Sequence, residues 1–254
     1  MTAPGSRAPS GEEPVRDLAP FAGVDSWIFD LDNTLYPRRT NLFAQVDTRI
    51  RDYVQRLLKV DAAEAHRVQK DYYRRYGTTL RGLMEEHGIL PDDFLAYVHD
   101  IDHSPVEPDP VLASAMKRLP GRKFIFTNGS RAHAEKVAAR LGVTGHFEDI
   151  FDIVRSELLP KPARQTYDRF VAATGIVPAR AAMFEDLSRN LEVPASLGMK
   201  TVLVVPSAGV REVLEDDWEM EGRDAPYVGY LTDNLGAFLR DVLKAIDQSA
   251  EPPN

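Results

Sequence analysis

The sequence predicts an α/β protein: a doubly wound parallel sheet, interrupted after its first strand by a block of helices. Three observations carry this expectation. A short apolar run, Trp27-Ile28-Phe29, stops at two carboxylates, Asp30 and Asp32. From Asn41 to about Asp102 the apolar residues recur near the helical period. Beyond Val111, helix-like and strand-like segments alternate as far as Val205, the pattern of parallel strands joined by right-handed crossovers.

Taken in order, Met1–Pro20 is rich in Pro, Gly, Ala, Ser and Glu and lacks the apolar segment of a secretory signal, so it reads as a disordered leader. Trp27–Phe29 has the strand propensity of a buried parallel strand, and Asn33, Thr34 and Pro37 then turn the chain. Leu42, Val46, Ile50, Val54, Leu57 and Leu58 mark a first helix. Asp61 is placed to cap a second helix through Tyr73, and Thr78 or Thr79 a third that His87-Gly88 closes. Pro91-Asp92-Asp93 opens a fourth, and Val106–Pro110 is a proline-rich return linker.

Helices are then expected at Val111–Arg118, Arg131–Leu141, Ala163–Thr174 and Leu191–Leu197. Between and after them come strands at Lys123–Phe126, Ile150–Val154, Ala181–Phe184 and Thr201–Val205. Thr232 or Asp233 caps a last helix to about Ile246, and the end of the chain from Gln248 reads as disordered. The expected organisation is a leader over 1–20, a core over 21–38 and 105–247, helices over 39–104, and a tail over 248–254.

Composition narrows the function. Hydrophobic residues make up 43% of the 254, enough for a packed core. A net charge of −8 argues against nucleic-acid or anionic-membrane partners, although a metal and a few lysines can still attract an anionic substrate. The absence of cysteine excludes disulfides, thiolate ligands and thiol nucleophiles and fits a cytoplasmic location. No apolar run reaches the roughly 20 residues of a membrane-spanning helix. No obligate protein partner is evident.

Four motifs fall at the ends of successive predicted strands. Asp30 and Asp32 would repel each other unless a cation or a shared proton relieves them. Thr127-Asn128-Gly129-Ser130 offers a hydroxyl and successive backbone N–H groups at a helix start, which suits a phosphate oxygen. Lys161 stands between Pro160 and Pro162, which restrict the direction in which it points. Glu185 and Asp186 add hard oxygen ligands of the kind that select Mg²⁺. Singly, each has an ordinary reading as a turn or a helix cap; their concurrence on one sheet edge is the argument, because open α/β sheets bind ligands there. His99 and His103, four apart on a predicted helix, have the spacing of a metal pair but lack the companion Glu of a His-Glu-x-x-His site.

In this order, acid pair, Thr/Ser turn, lysine and acid pair, the motifs resemble those of the haloacid-dehalogenase-like superfamily over about Ser26–Val205. The resemblance implies a Rossmann-like core with a type-one helical cap. The strings Asp30–Pro37, Phe126–Ser130 and Tyr76–Leu80 look closest to the pyrimidine 5′-nucleotidase branch. It implies an Mg²⁺-dependent phosphate monoester hydrolase with Asp30 as nucleophile and Asp32 as acid/base. Thr127, Asn128 and Lys161 would bind phosphate, and Asp30, Asp186 and the main-chain carbonyl of Asp32 the metal. Glu185 replaces the aspartate usual at its position and reaches one methylene further, which makes Asp186 the better candidate ligand and leaves open whether Glu185 meets the metal directly or through water.

The implied substrate is a small phosphorylated metabolite, a pyrimidine nucleoside 5′-monophosphate, with Tyr72, Tyr76, Thr78, Thr79 and His103 available to a base. Other sugar phosphates, phosphoglycolate, or a non-catalytic binding module on the same fold are the alternatives. Crowding among carboxylates is expected to raise the pKa of Asp32.

Overall fold

A computed structural model describes residues 17–207 and 221–250. Among the described residues six parallel strands form one sheet in the order β3-β2-β1-β4-β5-β6. They are β1 (Ser26–Phe29), β2 (Arg122–Phe126), β3 (Asp149–Phe151), β4 (Ala181–Glu185), β5 (Lys200–Val204) and β6 (Tyr230–Thr232). β1 is central because every one of its residues is buried, and side chains alternate across it. Trp27 and Phe29 enter a core with Ile125, Phe184 and the last helix, whereas Ile28 enters one with Phe126, Phe170 and Met183 on the other face. Strand order reverses between β1 and β4, which opens a crevice at their carboxyl ends.

Between β1 and β2 lie α1 (Leu42–Leu58), α2 (Ala62–Tyr76), α3 (Thr79–His87), α4 (Pro91–Val98) and α5 (Pro110–Arg118). The first four share an apolar core of their own, with Val46, Val54, Leu80, Leu83 and Phe94 at its centre. Asp61 caps α2 by accepting from the Glu64 N–H at 2.9 Å, and Thr78, not Thr79, caps α3 through the Arg81 N–H at 3.2 Å. Gly82 is needed where α3 crosses α2, since a Cβ there would stand 2.5 Å from Tyr72.

Among the described residues the remaining helices are α6 (Arg131–Leu141), α7 (Arg164–Thr174), α8 (Glu192–Ser196) and α9 (Leu235–Ala250). None of the described helices is long and apolar enough to cross a membrane.

Several expectations need adjustment. Asp17–Pro20 is not leader: Leu18 packs against the core, Phe21 is fully buried against Trp27, and the Tyr230 hydroxyl donates to the Asp17 carbonyl at 3.2 Å. The rest of the leader, residues 1–16, lies outside the described residues. Gln248–Ala250 is not tail, because α9 continues through it, with Asn234 and not Thr232 or Asp233 capping its start. Residues 251–254 lie outside the described residues. β6 went unforeseen, being only three residues long.

Candidate active site

Asp30 is the first residue past β1, its N–H bonded to the Phe184 carbonyl of the neighbouring strand at 2.9 Å. Thr127 follows β2, Glu185 ends β4 with Asp186 next, and Lys161 sits on the loop between β3 and α7. All five, together with Asp32 and Asn128, line one cleft. Lys161 is 1% exposed, and its Nζ donates to Asp30 Oδ1 at 2.7 Å, Glu185 Oε1 at 2.7 Å and the Phe126 carbonyl at 2.8 Å. All three ammonium protons are thus engaged. Asn128 fixes the lysine from behind: its Oδ1 accepts the Lys161 N–H at 2.9 Å, and its Nδ2 donates to the Lys161 carbonyl at 3.3 Å. Thr127 Oγ1 accepts from the Gly129 N–H at 2.9 Å, holding the start of the loop before α6.

Burial pushes the Asp30 carboxyl up to about 7; Lys161 opposes this and Glu185 adds to it. Burial also disfavours the charged form of Lys161, but Asp30 and Glu185 overcome it and raise the ammonium above its usual range.

Asp30, Glu185 and Asp186 each offer a carboxylate oxygen, and these oxygens lie within 4.8 Å of one another. The donor set is all hard oxygen and fits a small divalent cation such as Mg²⁺. Glu185 therefore stands within the group, braced by Asn190 Nδ2 at 2.7 Å and the Leu187 N–H at 2.9 Å. Asp186 pairs with Arg38 at 3.0 Å. The Asp32 carboxylate is not one of the three.

The side chain of Asp32 is held elsewhere. Its Oδ1 accepts from the Tyr36 hydroxyl at 2.5 Å and faces His133 Nε2 at 2.9 Å. Burial acts to raise the pKa of Asp32, but His133 and Tyr36 together outweigh it and hold the carboxyl below its usual value. The expected rise is thus reversed, because the sequence did not reveal these two partners. Burial and Asp32 push the Tyr36 phenol up, so it remains a donor.

His133 belongs to a chain of three imidazoles. Its Nδ1 meets His103 Nε2 at 3.0 Å, and its ring stacks on His99 with centroids 4.7 Å apart. His103 Nδ1 faces the Ile101 carbonyl at 3.0 Å, which requires a proton on that nitrogen. Burial and His133 hold the His103 pKa down, so its Nε2 accepts from His133 Nδ1–H. His99 and His103 therefore do not form a metal pair. His133 and Tyr36 escaped the sequence reading, although their spacing from Ser130 and Asp32 could have flagged them: each follows a motif residue by about one turn.

Residues 24–198 match the family described as haloacid dehalogenase-like hydrolase. The chain belongs to that family. Phosphate metabolism protein 8 of Saccharomyces cerevisiae is 26% identical over 236 residues, covering 86% of this chain and 70% of that protein. Among solved structures, a HAD phosphatase from Thermococcus onnurineus superposes with a TM-score of 0.55 at 16% identity, over 87% of this chain and 99% of the other. An L-2-haloacid dehalogenase from Xanthobacter autotrophicus gives 0.54 at 16% identity, over 86% and 98%. The fold is common to both, so it does not choose between their reactions.

In this haloacid dehalogenase-like hydrolase the cleft extends from Asp30 into the helical insert, with a volume of about 170 Å³. Phe43, Ile50, Leu80 and Phe94 form apolar walls; Tyr73, Thr78, Thr79 and Gln69 add polar groups. Tyr72 and Tyr76 are not among the lining residues: Tyr72 bonds His87 at 2.8 Å, and Tyr76 donates to Glu86. Nor is His103, which turns toward His133. The ring that does face the cleft is Tyr73, in contact with Arg189.

His99 gives the hydrolase a pH-dependent stability. Burial, with His133 adding to it, lowers its pKa from 6.5 to about 4, while Ser130 Oγ and the Leu95 carbonyl each lie 3.0 Å from its Nδ1. Below pH 6.5 the unfolded chain protonates this residue and the folded chain does not. Its contribution is complete above 6.5 and lost as the pH falls toward about 4, a change of order 3 kcal/mol. Urea denaturation at about pH 7 and pH 5 is expected to show a larger loss for the native chain than for His99→Asn. Equal losses would show that His99 is not the titrating group.

Proposed function

We propose that this chain is a phosphate monoester hydrolase acting through an aspartyl-phosphate, with Mg²⁺ as cofactor and pyrimidine nucleoside 5′-monophosphates as substrates. One observation carries the reading: beside the buried carboxylate of Asp30 stands a second acid, Asp32, whose Oδ1 lies 2.9 Å from His133 Nε2. A leaving alkoxide needs a proton, whereas a leaving halide does not.

Asp30 forms a bond to phosphorus as the ester P–O bond breaks. Asp32 would pass a proton to the departing oxygen, supplied to it across the 2.9 Å contact with His133 Nε2, and would later remove one from the water that attacks phosphorus as the Asp30–P bond breaks. Thr127 and the Asn128 N–H would bind the phosphoryl oxygens, where transition-state charge spreads, with the Lys161 ammonium beside Asp30 as a fixed positive charge. Asp30, Glu185 and Asp186 would hold the Mg²⁺, which supplies positive charge to offset that of nucleophile and phosphoryl group.

The printed names of the yeast relative and the Thermococcus neighbour support phosphate chemistry. The pyrimidine preference is supported by the resemblance of Asp30–Pro37 and Tyr76–Leu80 to the nucleotidase branch. The lining of the cleft is compatible with it: apolar walls suit a flat base, and Gln69, Thr78 and Thr79 could meet its polar edge.

Activity is expected to vanish in excess chelator and to return with Mg²⁺ but poorly with Ca²⁺, whose preferred coordination is larger and looser. Under Mg²⁺, kcat/KM for UMP and CMP should exceed that for AMP, phosphoglycolate and glucose 6-phosphate. A tenfold preference for any of the last three, about 1.4 kcal/mol of discrimination, would overturn the substrate assignment.

A further inference from the structure

The return segment between α4 and α5 is fastened from two sides. Gln45 of α1 exchanges two hydrogen bonds with the Asp102 backbone, at 2.9 and 3.1 Å. Arg140 of α6 donates to the carbonyls of Ser104 and Val106, at 2.8 and 3.0 Å. His103 thus stands where the helical insert rejoins the core, and its ring reaches His133 and, through it, Asp32.

An aspartate carboxylate turns about a broad, nearly two-fold torsion, so its two oxygens interchange unless something holds one of them. Here Oδ1 is held by Tyr36 and His133, which leaves Oδ2 for the substrate. The His133 ring can serve only if its own rotation is fixed. One face of the ring is covered by His99, and Nδ1 is tied to His103. The His133 side chain is fully buried, so a lost partner leaves a buried polar atom unsatisfied.

We propose that His103 is a positioning residue: through His133 it fixes which oxygen of Asp32 faces the leaving group, and it ties that orientation to the seating of the helical insert. The proposal rests on the phosphatase reading for its kinetic consequence but not for its geometry. A misplacement of about 1 Å in a reacting group can cost on the order of 10²-fold in rate. The cost falls on leaving groups that need a proton.

In the full chain with Mg²⁺, His103→Leu is expected to lower kcat on UMP by about 10- to 100-fold. On p-nitrophenyl phosphate, whose phenolate leaves without assistance, it should lower kcat by less than about threefold, with little change in KM. His103→Gln offers a side-chain carbonyl to His133 Nδ1–H and is expected to recover most of the UMP rate.

A crystal structure of His103→Leu should show Asp32 turned away from His133. Equal losses on both substrates, or a Gln variant no better than Leu, would overturn the proposal, as would an unmoved Asp32 in the crystal. If the native chain hydrolyses neither ester, the phosphatase reading fails, and the position of Asp32 in the crystal still decides the role of His103.

Discussion

Asp30→Asn is expected to reduce turnover by a factor on the order of 10⁵ or more and to leave no phosphorylated protein on acid quenching. Asn preserves the size of the side chain, and its carbonyl can still accept the proton that Lys161 donates to Oδ1. What disappears is the anionic oxygen that attacks phosphorus. Asp32→Asn should behave differently. It removes the proton donor and keeps the nucleophile, so alkyl phosphates should slow by roughly 10²- to 10⁴-fold and aryl phosphates far less. Phosphoenzyme should still be trapped on the aryl substrate. If both variants lose alkyl and aryl hydrolysis equally, the division of labour between the two acids is wrong.

Lys161→Met is expected to be the most destabilising single change in the cleft, costing about 3–5 kcal/mol near neutral pH. The side chain is nearly as buried as any in the core, and removing its charge leaves Asp30 and Glu185 facing each other without compensation. The sign of the pH dependence follows. Without the ammonium the Asp30 carboxyl is pushed further up, so in the variant it folds neutral. A group with a raised folded pKa contributes stability below its unfolded pKa and loses it as pH rises through the folded one. The deficit relative to the native chain is therefore expected to be small near pH 5 and to grow toward pH 8. Excess Mg²⁺ should recover part of it by binding only the folded form. A variant within about 1 kcal/mol of the native chain at both pH values would refute the role assigned to Lys161.

The sheet was legible in the sequence because Trp27–Phe29, Lys123–Phe126, Ala181–Phe184 and Thr201–Val205 are short apolar runs bounded by turn residues. The tip of the third strand was overextended to Val154, where the structure ends β3 at Phe151. Beyond that point the chain turns, and the Asp152 carboxylate accepts from the Arg131 and Arg155 N–H groups instead of continuing a ladder. At the site, the acids and the lysine declared themselves because a buried strand that ends in charge requires a partner.

The histidine chain did not declare itself. His99, His103 and His133 lie on three segments, and only tertiary packing makes them neighbours. Helical spacing wrongly suggested that His99 and His103 act as a pair, since α4 stops at Val98, before either residue. The tyrosines of α2 failed for a related reason: a sequence shows that Tyr72, Tyr73 and Tyr76 cluster, but not which of them the helix turns toward the cleft.

The pairing of Asp30 with Lys161 spans 131 residues of chain, and β1 has both of its strand neighbours far downstream of it. Closing loops of that length carries an entropic cost before any contact compensates it. The helices α1–α4 instead meet mainly their sequence neighbours and can form early, while β1 waits with two unpaired edges. During synthesis a strand that ends up fully buried is thus the one left longest without partners, and an exposed strand edge is where chains stick to one another. The central position that assembles the site also makes its first strand the segment most in need of protection while the chain is still incomplete.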